Sequence, residues 1–326
     1  MKAFVLDHAT SVKGALHSLK QGGVAIAGGT NLVDLMKLQV VAPDRVISLR
    51  RTELGDITAD GEGLNIGALV TNADCAADMR VRGNWPLLAK AILAGASPQL
   101  RNRATTGGNL CQRTRCGYFY DTTQACNKRD PGSGCAARNG FNRIHAVLGT
   151  SDSCIATYPG DMAIAMLALD AVVLVEGAAG AREIPIAAFH RTPGDDPSRD
   201  NVLEAGELIT GVRLPAPTGG VQIYRKVRDR ASYAFALVSL ALDLTMEEGR
   251  IARCALAFGG LGTVPWRDPA VEQVLIGETP NPALFAKAAE VLLMDAQGFG
   301  KNDFKIPLVA RALAATLNEA TRTGRA

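Results

Sequence analysis

Aromatic side chains are scarce in this 326-residue chain, at 5% of its residues. That leaves little of the stacking surface on which single-stranded nucleic acids are held. An excess of one charge is also lacking. The 35 Lys and Arg against 32 Asp and Glu leave +3, which supplies no basic footprint for a nucleic acid. No apolar run reaches the roughly 18 residues of a membrane span; the longest, 162–175, is interrupted by Asp170. The opening residues, MKAFVLDHATS, hold neither an apolar signal stretch nor a twin-arginine pair, so export on a signal of its own is not expected and the plain reading is cytoplasmic. His8, His17, His145 and His190 have no metal-ligand spacing among themselves. With no G-x-S-x-G and no H-E-x-x-H, hydrolase chemistry has no support.

What is present is an ordinary globular balance, 47% apolar and 21% charged, in a length that implies two or three domains. The first two thirds alternate short strands and helices. Strands are expected at 4–6, 24–27, 45–49, 64–69, 171–175 and 208–214, and helices at 11–20, 32–38, 71–79, 86–94 and 159–169. Ser11 is the expected cap of its helix, and Gly95 the expected stop of 86–94. Residues 97–149 read as loop. After PAPTGG at 215–220 the pattern changes to a strand meander, 222–227, 234–245 and 251–258, followed by helices at 281–293 and 306–323. A domain boundary is therefore expected at 215–220, with domains 1–217 and 221–326.

Glycine is abundant, 34 residues, and two glycine loops stand out. Ala27-Gly28-Gly29-Thr30-Asn31 follows a strand and precedes the helical pattern that opens at Leu32. Glycines let backbone approach an anion closely, and free N–H groups with hydroxyl and amide side chains can donate to phosphate oxygens. The spacing is neither G-x-G-x-x-G nor a P-loop. The second loop, Thr105-Thr106-Gly107-Gly108-Asn109, repeats the chemistry. Two such loops could clasp one pyrophosphate, with Gly67-Ala68 at a strand end as a third point of close approach. Each, taken alone, is equally readable as a tight turn.

Seven cysteines and no secretory signal argue against a disulfide framework. Cys75, Cys154 and Cys254 are isolated and read as small buried hydrophobes. Cys111, Cys116, Cys126 and Cys135 form one block, C-x4-C-x9-C-x8-C. A plant-type [2Fe–2S] site would need a ligand where Phe119 stands. A [4Fe–4S] cluster, a zinc ion and free or paired thiols all remain open on spacing alone. Arg113, Arg115, Lys128 and Arg129 would offset thiolate charge.

Taken together, 27–31, the run Gln99-Leu100-Arg101-Asn102-Arg103-Ala104-Thr105-Thr106-Gly107-Gly108-Asn109, and Tyr224-Arg225-Lys226 resemble the flavoprotein subunits of molybdenum hydroxylases, over essentially the whole chain. The resemblance implies an α+β fold: a two-lobed FAD-binding domain of the vanillyl-alcohol-oxidase type, then a small antiparallel sheet with helices. It implies that Ala27, Gly28, Gly29, Thr30, Asn31 and Leu32 hold the FAD pyrophosphate, with Gly67 and Ala68 close by. Thr106, Gly108 and Asn109 would form the facing wall. Asp161 would lie near the cofactor, Ile209 near the adenine and Lys226 near the flavin ring. Most of the family lacks the four cysteines. The runs CQRTRC and CNKRDPGSGC resemble the subset that carries an extra [4Fe–4S] cluster in aldehyde-oxidising, exported complexes. That implies Cys111, Cys116, Cys126 and Cys135 as ligands and [2Fe–2S] and molybdopterin-cofactor subunits as partners. It also implies an external electron acceptor and a periplasmic location reached on a partner's signal. Two other readings compete: a stand-alone flavin reductase resembling UDP-N-acetylmuramate dehydrogenase, and a zinc-bearing assembly subunit.

Overall fold

The computed structural model describes residues 1–323. Three sheets organise it. The first is a three-stranded parallel sheet, order β1-β3-β2, from β1 (Val5–His8), β2 (Val24–Ile26) and β3 (Arg45–Ser48). The helix Val12–Lys20 makes the crossover. Ser11 Oγ caps it by accepting from Gly14 N at 3.1 Å, and Ala15, Leu16 and Leu19 give it one buried face.

The second sheet has five antiparallel strands, order β4-β5-β8-β6-β7: β4 (Ile57–Asp60), β5 (Gly63–Gly67), β6 (Val172–Gly177), β7 (Gly180–Pro185) and β8 (Leu208–Leu214). Edge strands β4 and β7 escaped the sequence reading because they face water and show no clean apolar alternation. The third sheet, order β11-β10-β9, is an antiparallel meander of β9 (Val221–Val227), β10 (Val238–Glu247) and β11 (Arg250–Gly259). The strand expected from 234 begins four residues later, and 228–237 is irregular. Helices Pro282–Leu292 and Lys305–Thr323 accompany this sheet.

The helix Met162–Ala168 is buried on every side, between the helix Pro86–Ala94 and strands β10 and β11. An all-apolar helix has no solvent face to offer, so it sits where two layers meet. The helix expected over 71–79 is two pieces, Asn72–Ala77 and Met79–Asn84. Asp78, at φ −58° and ψ 127°, ends the first and caps the second by accepting from Arg80 and Val81 N–H.

Residues 97–149 hold only short helices, among them Thr106–Leu110 and Gly117–Tyr120. Their core is separate and small: Leu35, Cys116, Phe119, Cys126, Ala137, Cys154, Ile155 and Ala156, with Cys135 packed against it. Thiols are a large part of that apolar content. So few buried side chains give little hydrophobic stabilisation to a segment without a sheet of its own.

Candidate functional site

The first glycine loop leaves β2 and turns through Gly29, at φ +77°, a region open to glycine at no steric cost. Gly28 is required for another reason. A Cβ there would lie 1.8 Å from the Arg103 carbonyl oxygen, so the loop rests directly on the backbone that leads into the second loop. Thr105 caps the helix Thr106–Leu110 by accepting from Gly108 N at 3.3 Å. This sets Gly108 beside Thr30 and Asn31, and the three residues line two clefts of about 530 and 560 Å3. Each cleft is in the range of small-molecule and cofactor sites. Ala27, Gly28, Gly29 and Leu32 line the first, which has Ile26, Val41 and Pro43 at its apolar side. Asn109, Asp161 and Lys226 line the second.

Asn31 Oδ1 accepts from Arg113 N at 2.9 Å, which fixes the amide, while its Nδ2 is buried with no partner. A buried donor left free costs about 1–3 kcal/mol. Its place on both clefts fits an acceptor such as a phosphate oxygen.

At the far end of the second cleft, Asp161 Oδ2 accepts from Lys226 Nζ at 2.7 Å and Oδ1 from Tyr224 Oη at 2.6 Å. The pair is buried, with side-chain exposures of 4% for Lys226 and 9% for Asp161. Burial and the neighbouring carboxylate hold the Tyr224 phenol well above its ordinary pKa. Lys226 also donates to Ala94 O at 3.2 Å, and Arg228 to the same oxygen at 2.9 Å, a helix C-terminus receiving cations. Gly95 makes room, since a Cβ there would meet Asp161 Oδ2 at 2.9 Å.

Four expected contact residues stand elsewhere. Gly67 pairs with Gly211 in the sheet, and its Cβ position faces Leu54 O at 2.3 Å. Ala68 packs against Gly107. Thr106 is fully buried and donates to Val70 O at 3.2 Å. Ile209 lies in the core, paired with Val175. These residues brace the second loop and the sheet behind it, and none lines either cleft. The sequence reading missed Asn72, Gln112, Arg230, Tyr233 and Phe235, which do, and it had read Arg115, also in the lining, only as a partner of the thiolates. For Arg230, Tyr233 and Phe235 the run RDRASYAF after Lys226 was the available signal, because two cations followed by two aromatics interrupt the apolar strand pattern.

The cysteine block resolves differently from its spacing. Cys116, Cys126, Cys135 and Cys154 line one small cavity with Lys128. Cys111 does not; it is exposed and faces the first cleft beside Gly28 and Arg113. Cys154 therefore joins the group that Cys111 was expected to complete, and it is not simply an isolated core residue. Cys126 and Cys135 form an antiparallel bridge, closed by Asn127 N donating to Gly134 O at 2.7 Å. Asn127 Oδ1 accepts from Gly132 and Gly134 N–H at 3.1 and 2.7 Å. His145 Nε2 lies 3.1 Å from Cys116 Sγ. Burial pushes the Cys116 thiol up to about 12 and Cys154 to about 11, while burial holds His145 down to about 4. Among the described residues, no three His, Cys, Asp or Glu side chains are placed to hold a metal ion. A zinc–thiolate bond is about 2.3 Å, so a single ion needs its ligands drawn closely together, whereas a multi-iron cluster spreads them apart. All four cysteines of the cavity are free.

Residues 2–217 match the family described as FAD binding domain in molybdopterin dehydrogenase, and 222–320 match the CO dehydrogenase flavoprotein C-terminal domain. The chain is an FAD-binding subunit of the molybdenum hydroxylase family. It is 50% identical over 327 aligned residues, 98% of this chain and 99% of the relative, to the aldehyde oxidoreductase FAD-binding subunit PaoB of Escherichia coli strain K12. It is 27% identical to the glyceraldehyde dehydrogenase medium chain of Sulfolobus acidocaldarius, over 79% of this chain and 75% of that one. Its fold matches a chain of carbon monoxide dehydrogenase from Hydrogenophaga pseudoflava, with TM-score 0.77 and 23% identity, over 98% and 97% of the two chains. The mixed architecture and the small C-terminal antiparallel sheet are those of this family. As its relatives are, this chain is a component of an oxidoreductase. Among the described residues no helix is long and apolar enough to cross a membrane.

Proposed function

We propose that this chain is the FAD- and [4Fe–4S]-bearing subunit of a molybdenum-dependent aldehyde oxidoreductase. Its partners would be a [2Fe–2S] subunit, from which it receives electrons, and a molybdopterin-cofactor subunit, where aldehyde is oxidised; FAD would pass the electrons to an external acceptor. The observation that carries the reading is the convergence of four thiols on one cavity within a chain of the FAD-binding family. Half-identity over nearly full length to an aldehyde oxidoreductase subunit supports the substrate class.

Bound FAD supplies reversible electron uptake; this chain supplies binding, orientation and electrostatics. The loop 27–32, with Gly28 seated on Arg103 O and Asn31 fixed by Arg113, would hold the pyrophosphate. Gly108 and Asn109 would form the facing wall. Lys226, oriented by Asp161, would present its ammonium toward the ring end. These roles belong to a domain taken as 1–217, with 221–326 as the C-terminal domain.

The ligands we assign to the cluster are Cys116, Cys126, Cys135 and Cys154, replacing Cys111 with Cys154. Thiolate ligation fits the donor set, because iron–sulfur clusters are held by cysteine thiolates. Metal binding would have to displace the proton that burial keeps on Cys116, and the N–H groups of Phe119 and Tyr118 that point at it favour the thiolate. Lys128 balances the charge from within the lining. Periplasmic residence on a partner's signal completes the reading.

The purified full chain should show flavin absorbance and about four iron atoms per chain. A flavoprotein holding zinc, or no metal, would remove the cluster from the proposal. Oxidation of NADPH by the chain alone would favour a stand-alone reductase. Appearance of the singly expressed chain in the periplasm would refute export by a partner.

A further inference from the structure

The segment 190–203 belongs to neither cofactor loop, yet it holds both. It is pinned at its base by a bridge between His190 and Asn201 and by Val202 N donating to Phe189 O at 3.0 Å. From it, Asp200 presents one carboxylate oxygen to each of two cations. Oδ2 accepts from Arg113 Nε at 2.6 Å and Oδ1 from Lys128 Nζ at 2.6 Å. The same segment offers the Ser198 carbonyl to Arg113 Nη2 and the Pro197 carbonyl to Lys128 Nζ, each at 2.9 Å.

The two cations both border the thiol cavity, Arg113 by lying over the Phe119 ring at 4.8 Å. Lys128, 9% exposed, lines the thiol cavity. Arg113 locks Asn31 of the glycine loop through its backbone N–H. A path therefore runs from the thiol cavity through Lys128 and Asp200 to the Arg113 guanidinium, and through the Arg113 side chain to the backbone N–H that holds Asn31. Isolated exposed ion pairs transmit little. Here one three-quarters-buried carboxylate is shared by two cations, and its two oxygens cannot be moved independently.

We propose that Asp200 is a positioning residue that couples the thiol cage to the glycine loop, so that an intact cage tightens FAD retention. The inference rests on the cofactor reading given above. Without the Asp200 charge, Lys128 and Arg113 repel one another, the Arg113 guanidinium keeps only the Ser198 carbonyl, and the backbone whose N–H holds Asn31 loses an anchor.

The test is a double-variant cycle on the full chain, Asp200→Asn, Cys126→Ser and both together. Its readouts are FAD release followed by flavin fluorescence and iron content. Each single variant should release FAD about tenfold faster, within the range of coupling between sites. Asp200→Asn should keep its iron. The double variant should be no faster than the singles, because both break one path. Unchanged release in Asp200→Asn, or roughly multiplicative effects in the double variant, overturns the coupling. Iron loss in Asp200→Asn also overturns it, since Asp200 would then act on the cage alone. A wild type without iron refutes the cage reading first and takes the coupling with it; Cys126→Ser is then silent. Should Asp200→Asn not fold, Arg113→Gln serves in the same cycle, because it removes the charged contact to Asp200 while keeping the backbone N–H that Asn31 accepts from.

Discussion

Replacing Asp161 by Asn removes one charge and changes almost no volume, so it isolates the buried pair at the far end of the second cleft. In the wild type, Lys226 has two acceptors, Asp161 Oδ2 at 2.7 Å and Ala94 O at 3.2 Å. The variant leaves an ammonium, 4% exposed, facing one long carbonyl contact, while Tyr224 Oη loses a charged acceptor for a neutral one. Breaking a buried pair from one side costs about 3–5 kcal/mol, because the remaining charge is neither solvated nor paired. At roughly 2–4 °C per kcal/mol for chains of some 200 residues, flavin-free protein should lose about 5 °C or more in melting temperature by calorimetry. Asp161→Asn combined with Lys226→Met should recover much of that loss, because no charge is then stranded. A single variant melting within a degree of wild type would refute the burial argument and return the pair to the ordinary value of a surface contact.

Gly28→Ala should abolish flavin binding and lower soluble yield, because the new methyl strikes the Arg103 carbonyl; Gly83→Ala, with open space around it, is the control, and a flavin-loaded Gly28→Ala protein would refute the contact. Gly29→Val should fail through its φ of +77° and crowding against Val33, so a normal melting temperature there would contradict the backbone argument. Cys154→Ser should lose most of the iron while Cys111→Ser keeps it; metal analysis giving the reverse order would restore the ligand set read from spacing. Lys305, fully buried between the carbonyls of His145 and Gly260 at 2.9 and 2.7 Å, is held down to about 7 by burial. The unfolded chain then binds more protons between pH 7 and about 10.5, so Lys305 favours folding increasingly as pH rises through that window. The melting-temperature difference between wild type and Lys305→Met should grow in favour of wild type from pH 7 to 10, and a constant difference would refute the depressed value.

The local chemistry of this protein was legible in the sequence wherever a pattern acts within a few residues. The Ser11 cap, the apolar face of Val12–Lys20, the stop at Gly95 and the glycine turn after β2 all depend on positions at most four apart, the reach of helical and turn geometry. The pairing of two hydroxyl-and-amide glycine loops, one at each side of a cleft, was also readable as chemistry. Tertiary structure decided what the spacing left open. Cys154 is 19 residues beyond Cys135, yet it lines the thiol cavity, while Cys111, five residues before Cys116, caps the C-terminus of the short helix Thr106–Leu110 and lines the first cleft instead. Gly28 is glycine chiefly because backbone from residue 103 lies against it, and Asp161 finds its cation 65 residues downstream. Such encounters are set by how layers pack and how far each segment must reach to bury its own apolar side. Packing of that kind leaves no period in the sequence, and this is why the four-thiol cavity and the contacts of Asp161 with Tyr224 and Lys226 became visible only in the folded chain.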